Sequence, residues 1–401
     1  MANKRLSDID VQRIAAALDE TGGKIRKAED LLKKQGTPYA FGSIQKVAKG
    51  YKGQSDSAGD ASRVINVEDP LFRTDLIRTL RKRFVSIASL SRMFMFTEGQ
   101  MTEAVAHLED RGYNVLWDGK RARIVKGEAQ TGGEMTDNSP LVGDWRQFGA
   151  IGDTHVCSHA QRLDVVEAAY DHFQKKGITS VYHTGNIVDG HTHFNRFELH
   201  CHGITDQCNY LIDHYPQRKD ITTYFITGDC HEGWWQTREG LNFGRYLELE
   251  AKDRGRNDLV YAGFMEANVK LLTPGGYATM RLMHPGGGTA YAFSYKPQKI
   301  VEGFSGGEKP SILLIGHYHK LSYDLIRNVH VFQTGCAQDQ TTFMRKKTIQ
   351  AHVGYWVIGI QQDARGAVRR VRQEVTNYFD RKYHAVAPLV FNDKKTRKGR
   401  P

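Results

Sequence analysis

The chain has 401 residues, 40% hydrophobic and 25% charged, which are ordinary globular values and predict about two or three domains. Five scattered cysteines exclude a disulfide framework and point to a reducing, cytoplasmic setting. The start Met1-Ala-Asn-Lys-Arg-Leu has no apolar signal core and no run approaches a bilayer span, so secreted, membrane-spanning and collagen-like classes are set aside.

The net charge of +11 is uneven. Residues 1–126 hold 23 basic and 16 acidic residues (+7), residues 376–401 hold 7 and 2 (+5), and 127–375 is near −1. Basic ends around a near-neutral centre predict a polyanion partner, with a solubilising charge excess as the alternative; no membrane partner is expected. Two polar stretches, 52–62 and 127–140, have linker composition. The expected organisation is therefore a domain at 1–51, a linker at 52–67, a domain at 68–126, a linker at 127–144, a catalytic domain at 145–375 and a basic tail at 376–401.

In chain order, Val11, Ile14, Ala15 and Leu18 share one helical face after a Ser7 or Asp8 cap. Lys24–Lys34 forms a second helix, and a third runs from beyond Gly36-Thr-Pro38 to about Lys49. Two short helices and a basic third make a helix-turn-helix pattern, in which Lys46 and Lys49 are candidate DNA contacts. Glu20-Thr-Gly-Gly-Lys-Ile-Arg-Lys-Ala-Glu-Asp-Leu-Leu32 resembles the start of the small Fis-type helix-turn-helix. Helices at 70–83, 87–94 and 98–111 follow. A hairpin then turns at Asp118-Gly119, a strong short-range hairpin signal. Three helices and a basic hairpin resemble a winged helix, with Lys120, Arg121 and Arg123 as phosphate contacts on the wing. Either module could instead dock protein.

From residue 145 apolar strands alternate with helical stretches. Five strands end where a polar cluster begins: Asp153-Thr-His155, Gly185-Asn-Ile-Val-Asp-Gly190, Gly228-Asp-Cys-His-Glu232, His284-Pro-Gly-Gly-Gly288 and Gly316-His-Tyr-His319. Ligands in α/β sheets bind beyond the carboxyl ends of strands, so five such clusters predict one site. His191 and His193 could line its cleft or lie in a solvated loop. His200-Cys-His202 with Cys208 raises the question of zinc, but the spacing fits no zinc pattern and the stretch reads as helical. Trp234 and Trp235 either stack a base or pack a core.

The five clusters, in this order, resemble the calcineurin-like metallophosphoesterases, and the context Gly228-Asp-Cys-His-Glu-Gly-Trp-Trp235 is similar to phage-encoded members. The resemblance covers a little over half the chain. It implies a four-layer α/β sandwich, two β-sheets flanked by helices, preceded here by the two small, mainly helical DNA-binding-like domains. It implies two divalent metal ions, with Mn favoured and Fe, Zn or Co also suited. Asp153, His155 and His319 would hold one metal and His284 and His317 the other, with Asn186 at the bridging position. His231 would be the general acid and Glu232 its orienting partner. The chain departs from the family pattern at Gly185-Asn186, where the family has Gly-Asp, and at Gly228-Asp-Cys-His, where one residue is inserted. Three readings stay open: Asp229 is the replacement ligand, Cys230 is, or the site is degenerate. Such a site beside basic helix-turn-helix and winged-helix modules makes the expected activity a metal-dependent phosphodiesterase acting on DNA. The alternatives are a phosphatase or small-nucleotide phosphodiesterase, and a DNA-binding regulatory protein with a decayed site.

Overall fold

The computed structural model describes residues 6, 8–21, 24–50, 64–67, 69–127, 132–141 and 144–378. Most of the expected linker at 52–67 and most of the basic tail lie outside the described residues. The chain divides into two compact units, Met1–Lys126 and Gly127–Pro401.

The first unit begins with helices α1 (Asp8–Glu20), α2 (Ile25–Lys34) and α3 (Phe41–Gly50). Ile14, Ala17 and Leu18 meet Ala28, Leu32 and Ile44 in one small core; of the expected face Ile14 and Leu18 are there, while Val11 is exposed, Ala15 is half-buried and Ala17 takes the inward place. The side chains of Lys46 and Lys49 lie outside the described residues. Helix α4 (Pro70–Lys82) starts with Pro at its first position and an Asp69 cap on the Leu71 amide. After β1 (Val85–Ser86) and α5 (Ile87–Phe94), a capping box of Thr97 and Gln100 opens α6 (Glu98–Asp110). Strands β2 (Val115–Asp118) and β3 (Arg121–Ile124) form the expected hairpin. The sequence pattern hid β1, which is two residues long and pairs Val85 with Ala122 to give the sheet order β1-β3-β2.

Residues 1–51 and 68–126 were expected as separate domains, yet both fall in the first unit. Arg13, buried on α1, ion-pairs with Asp75 of α4 at 3.2 Å and lies 4.8 Å from the Phe94 ring. Burying that guanidinium is tolerable because it is paired. The wing also differs from expectation. Arg121 is ion-paired with Asp118, and Arg121 and Arg123 both lie over the Phe84 ring. Lys120 is the exposed wing cation with no ion-pair partner among the described residues.

The second unit runs β4 (Glu134–Asp137), β5 (Arg146–Ile151), α7 (Leu163–Lys175), β6 (Ser180–His183), α8 (Ile204–His214), β7 (Thr222–Thr227), α9 (Gly233–Glu239), α10 (Phe243–Asp253), β8 (Leu259–Phe264), β9 (Glu266–Thr273), β10 (Gly276–Met283), α11 (Tyr295–Gly303), β11 (Ile312–Ile315), β12 (Leu321–Ile326), β13 (Val329–Thr334), α12 (Thr342–Lys346), β14 (Gly354–Gln362) and β15 (Val368–Asn377). Two six-stranded sheets form, ordered β15-β14-β5-β6-β7-β8 and β12-β13-β11-β10-β9-β4.

Strand alternation builds the layers. Ile312 and Leu314 of β11 face the core between the sheets, with Phe148, Tyr182, Met280 and Ile358. Leu313 and Ile315 face outward and pack with Val301 of α11. On the other sheet, Phe173 of α7 packs so closely over Gly149 that a Cβ there would meet the ring at 2.7 Å. The order is helix, sheet, sheet, helix. The expected linker at 127–144 contains β4, which pairs in parallel with β9. Asp137 at its end is buried and ion-pairs with Arg146 at 3.5 Å, and it accepts a hydrogen bond from Tyr182 at 2.6 Å. β15 likewise carries the folded unit to Asn377, two residues into the expected tail. Among the described residues no helix is long and apolar enough to cross a membrane.

Candidate metal centre

Strands β5, β6 and β7 are neighbouring and parallel in one sheet, and β10 and β11 are neighbouring and parallel in the other. Their carboxyl ends deliver the five polar clusters to one edge of the sandwich. The turns that follow are tight. Twelve described non-glycine residues have φ between 46° and 80°, and five of them are Asp153, His155, Asn186, His317 and His319. Left-handed backbone at such residues costs on the order of 1–3 kcal/mol each and concentrates at functional sites. Here it turns the side chains back over the strand ends.

Two separate groups of potential ligand atoms result, Asp153 with His155 and His319, and Asp229 with His284 and His317; a third among the described residues, His155 with Asp189 and His231, overlaps the first through His155. In the first, His319 Nε2 lies 3.2 Å from His155 Nε2 and 3.4 Å from Asp153 Oδ1. Tetrahedral bonds of about 2.1 Å separate neighbouring ligand atoms by about 3.4 Å, so the spacing fits a divalent cation. Outer partners fix the tautomers. His155 gives Nδ1–H to Asp189 at 2.7 Å, His284 gives Nδ1–H to the Thr184 carbonyl at 2.7 Å, and His317 gives Nε2–H to the Gly287 carbonyl at 2.6 Å. Each ring keeps its other nitrogen for the centre. His284 Nε2, Asp229 Oδ1 and Asn186 Oδ1 are buried without a hydrogen-bond partner, a costly state that a cation would relieve. Gly228 keeps that space open, since a Cβ on it would stand 2.3 Å from Asn186 Oδ1 and 2.8 Å from His284 Nε2. Asn186 also directs its Nδ2 to Asp153 Oδ1 at 3.4 Å, so it stands between the two groups.

Charge states agree with ligation at Asp153, His155 and His284. Burial pushes His155 and His284 down to about 4, leaving neutral imidazoles. Burial works to raise Asp153, but the His319, His284 and His155 rings hold it well below the usual carboxylate range. His319 differs. Burial works to lower it, yet Cys336 and Asp153 pull it up to about 10, so a cation there would displace a proton.

Of the alternatives left open by the sequence, Asp229 joins His284 and His317, while Cys230 is exposed and stands outside the group. The role expected of Glu232 is filled by another residue. Glu232 accepts from the Gly228 amide at 2.9 Å. Asp189 orients His231, whose Nδ1 lies 2.8 Å from the Asp189 carbonyl and 3.2 Å from its carboxylate. Asp189 therefore holds both His155 and His231, a role that its place in Gly185-Asn-Ile-Val-Asp-Gly190 did not reveal. Burial works to lower His231, but Asp189 raises it above an ordinary imidazole.

His191 packs against His202 at 5.6 Å between ring centroids, and His193 against Phe194 at 5.4 Å. Residues 200–203 are not helical, since α8 begins at Ile204, and His200, Cys201, His202 and Cys208 form no metal-capable group among the described residues. Trp235 is buried against Phe243 and belongs to the core.

No family model and no curated protein matches the sequence. Among solved structures, the chain is similar to an archaeal phosphodiesterase, at 12% identity over 58% of this chain and 100% of that one, TM-score 0.33. It is also similar to zinc-complexed Vps29 of Entamoeba histolytica, at 15% identity over 58% and 99%, TM-score 0.30. A third likeness is to GAP50, the anchor in the inner membrane complex of Plasmodium, at 10% identity over 58% and 84%, TM-score 0.36. Superpositions this loose assign neither family nor activity.

Proposed function

We propose that the second unit is a metal-dependent phosphodiesterase acting on DNA, of the calcineurin-like type that the motif order resembles. The observation that carries this reading is the pair of three-residue groups that meet at one sandwich edge, with Asp229 Oδ1, His284 Nε2 and the intervening Asn186 Oδ1 buried and unpaired. Asp153, His155 and His319 would hold one divalent ion and Asp229, His284 and His317 the other, with Asn186 between them. Such ions supply charge neutralisation at the phosphoryl oxygens and a low-pKa water.

The chain's own residues do the rest. Asp189 fixes the His231 tautomer with hydrogen on Nδ1, leaving Nε2 for the substrate. Its negative charge keeps the ring protonated to higher pH, so His231 can give a proton to the leaving oxygen. The excess of positive charge in residues 1–126 supports DNA as the polymer brought to this site, with the helical modules as its binders.

The test is Mn²⁺-dependent digestion of end-labelled DNA, run beside a generic diester and a mononucleotide monoester. Cleavage of DNA and the diester, with the monoester slow, is expected. Hydrolysis confined to the monoester would replace this reading with a phosphatase, and no hydrolysis with metal bound would replace it with a binding protein.

A further inference from the structure

The cleft over the two groups encloses about 180 Å³, and part of its wall is aromatic. Phe194, from the loop after the second cluster, and Phe343, from α12, both line it. Their ring centroids are 5.4 Å apart with planes tilted 30°. Phe194 also stands edge-on to the His231 ring at 5.6 Å. The two segments are tied together, because Glu198 accepts from the Thr342 amide at 3.0 Å. Yet Phe194 remains 37% exposed and Phe343 39%.

This exposure is part of a pattern. Among the described residues seven Phe, Tyr or Trp side chains are exposed: Phe194 and Phe343 line this cleft, Phe197 lies beside its lining residue Glu198, Tyr291, Phe293 and Tyr295 follow in the chain from its lining residue Thr289, and Tyr277 is elsewhere. The 291–295 segment continues from Gly287, Gly288 and Thr289, which line the cleft. Single exposed apolar residues are normal, but a concentration at a cleft marks a binding surface. The cations are placed alike. Arg345, Lys346 and Lys347 follow Phe343 and the cleft-lining Met344, are exposed, and have no ion-pair partner among the described residues.

Rings interleaved with free cations match the needs of an unpaired strand, whose bases stack on rings while its phosphates meet positive charge. A duplex stacks its bases on one another and cannot use the rings. An apolar peptide or an uncharged lipid would use the rings and leave the cations idle. We propose that this cleft takes single-stranded DNA, with one unstacked base against the Phe194–Phe343 pair beside His231 and neighbouring phosphates on Arg345, Lys346 and Lys347. The proposal rests on the reading of the site as a DNA phosphodiesterase, and it names the form of DNA.

The test uses the full chain and a fluorescein-labelled six-nucleotide single strand, too short to engage duplex-binding modules, in chelator so that nothing is cleaved. Phe194→Ala and Phe343→Ala should each weaken binding by roughly 5- to 100-fold, the worth of one stacked base. Phe343→Trp should keep it. Replacing Arg345, Lys346 and Lys347 together by Gln should lower the salt slope by about 2, at about 0.7 per phosphate on a single strand. In Mn²⁺ the wild type should digest a single strand at least tenfold faster than a duplex of the same sequence. The proposal is overturned if the wild type does not bind the hexamer, if both Ala variants melt and bind as wild type does, or if duplex is cut as fast as single strand. If no DNA is cut but a small diester is, the parent reading fails. Loss of hexamer binding in Phe343→Ala would still separate that failure from this one.

Discussion

Asp189 holds two rings at once, and this gives the sharpest test at the scale of single residues. It fixes His155 at 2.7 Å and His231 at 3.2 Å through one carboxylate. Its charge raises His231, so the proton-donating form is present below that raised pKa and is lost as pH climbs through it. Asp189→Asn removes the charge and lowers the His231 pKa. The alkaline limb of the diesterase pH profile should therefore move to lower pH, with turnover down about 10- to 100-fold, as for outer-shell partners. His231→Ala should cost about 10²–10⁴ in turnover while metal content stays near wild type. An unmoved alkaline limb in Asp189→Asn would mean that His231 is not the acid.

The exchanged pair, Asn186 and Asp229, is tested by a double-mutant cycle. Asn186→Asp adds a carboxylate where an unpaired amide oxygen is buried, and should tighten Mn²⁺ binding. Asp229→Asn removes the carboxylate beside His284 and His317 and should weaken it. Because both act on one site, the double variant should bind better than the two single effects sum to. Strict additivity in the Mn²⁺ titrations would remove Asp229 from the ligand set.

At the scale of elements, the turn from β7 into α9 buries a carboxyl with one unpaired oxygen. Glu232 Oε1 accepts from the Gly228 amide at 2.9 Å, while Oε2 has no partner and burial lifts the group to about 7. A carboxyl whose folded pKa is raised favours the native state while protonated, and that contribution fades as pH rises from about 4.5 through about 7. In chelated protein Glu232→Gln keeps an acceptor for Gly228 and removes the buried charge. It should raise Tm at pH 8.5, by an effect on the order of 1–3 kcal/mol, and change it little at pH 5. A Tm gain equal at both pH values would refute the buried-charge account.

The elements also show what the sequence makes legible. Strands β5, β6, β7, β10 and β11 are apolar runs ending in polar clusters, so both the strands and their delivery of Asp153, Asn186, Asp229, His284 and His317 could be read directly. Strand β4, Glu-Met-Thr-Asp, could not, because an edge strand with exposed alternate residues has linker composition. Its buried Asp137 is explained only by Arg146 and Tyr182, which come from elsewhere in the chain. Asp189 was hidden for the same reason, since only the fold shows which rings it reaches. The Phe194–Phe343 wall joins segments about 150 residues apart, one of them a five-residue helix, and no local pattern links them.

For the whole molecule, each unit has its own hydrophobic core, so residues 127–401 should fold alone. That fragment should keep hydrolysis of a small diester within about threefold of the full chain and bind duplex DNA more weakly. Its duplex salt dependence should be flatter by about 0.9 for every phosphate that residues 1–126 neutralise in the full chain. Equal duplex affinity and salt slope in the two proteins would place the DNA-binding surface in the second unit.

The central claim is a two-metal centre that hydrolyses a phosphodiester. Its most direct test is a Mn²⁺ titration of the chelated full chain at pH 8, with hydrolysis of a small diester measured at each addition. Two ions should bind per chain, and activity should rise mainly with the second. Asp229→Asn should bind one and stay near background. Wild type that binds fewer than two ions, or Asp229→Asn that binds two and hydrolyses at the wild-type rate, would contradict the account.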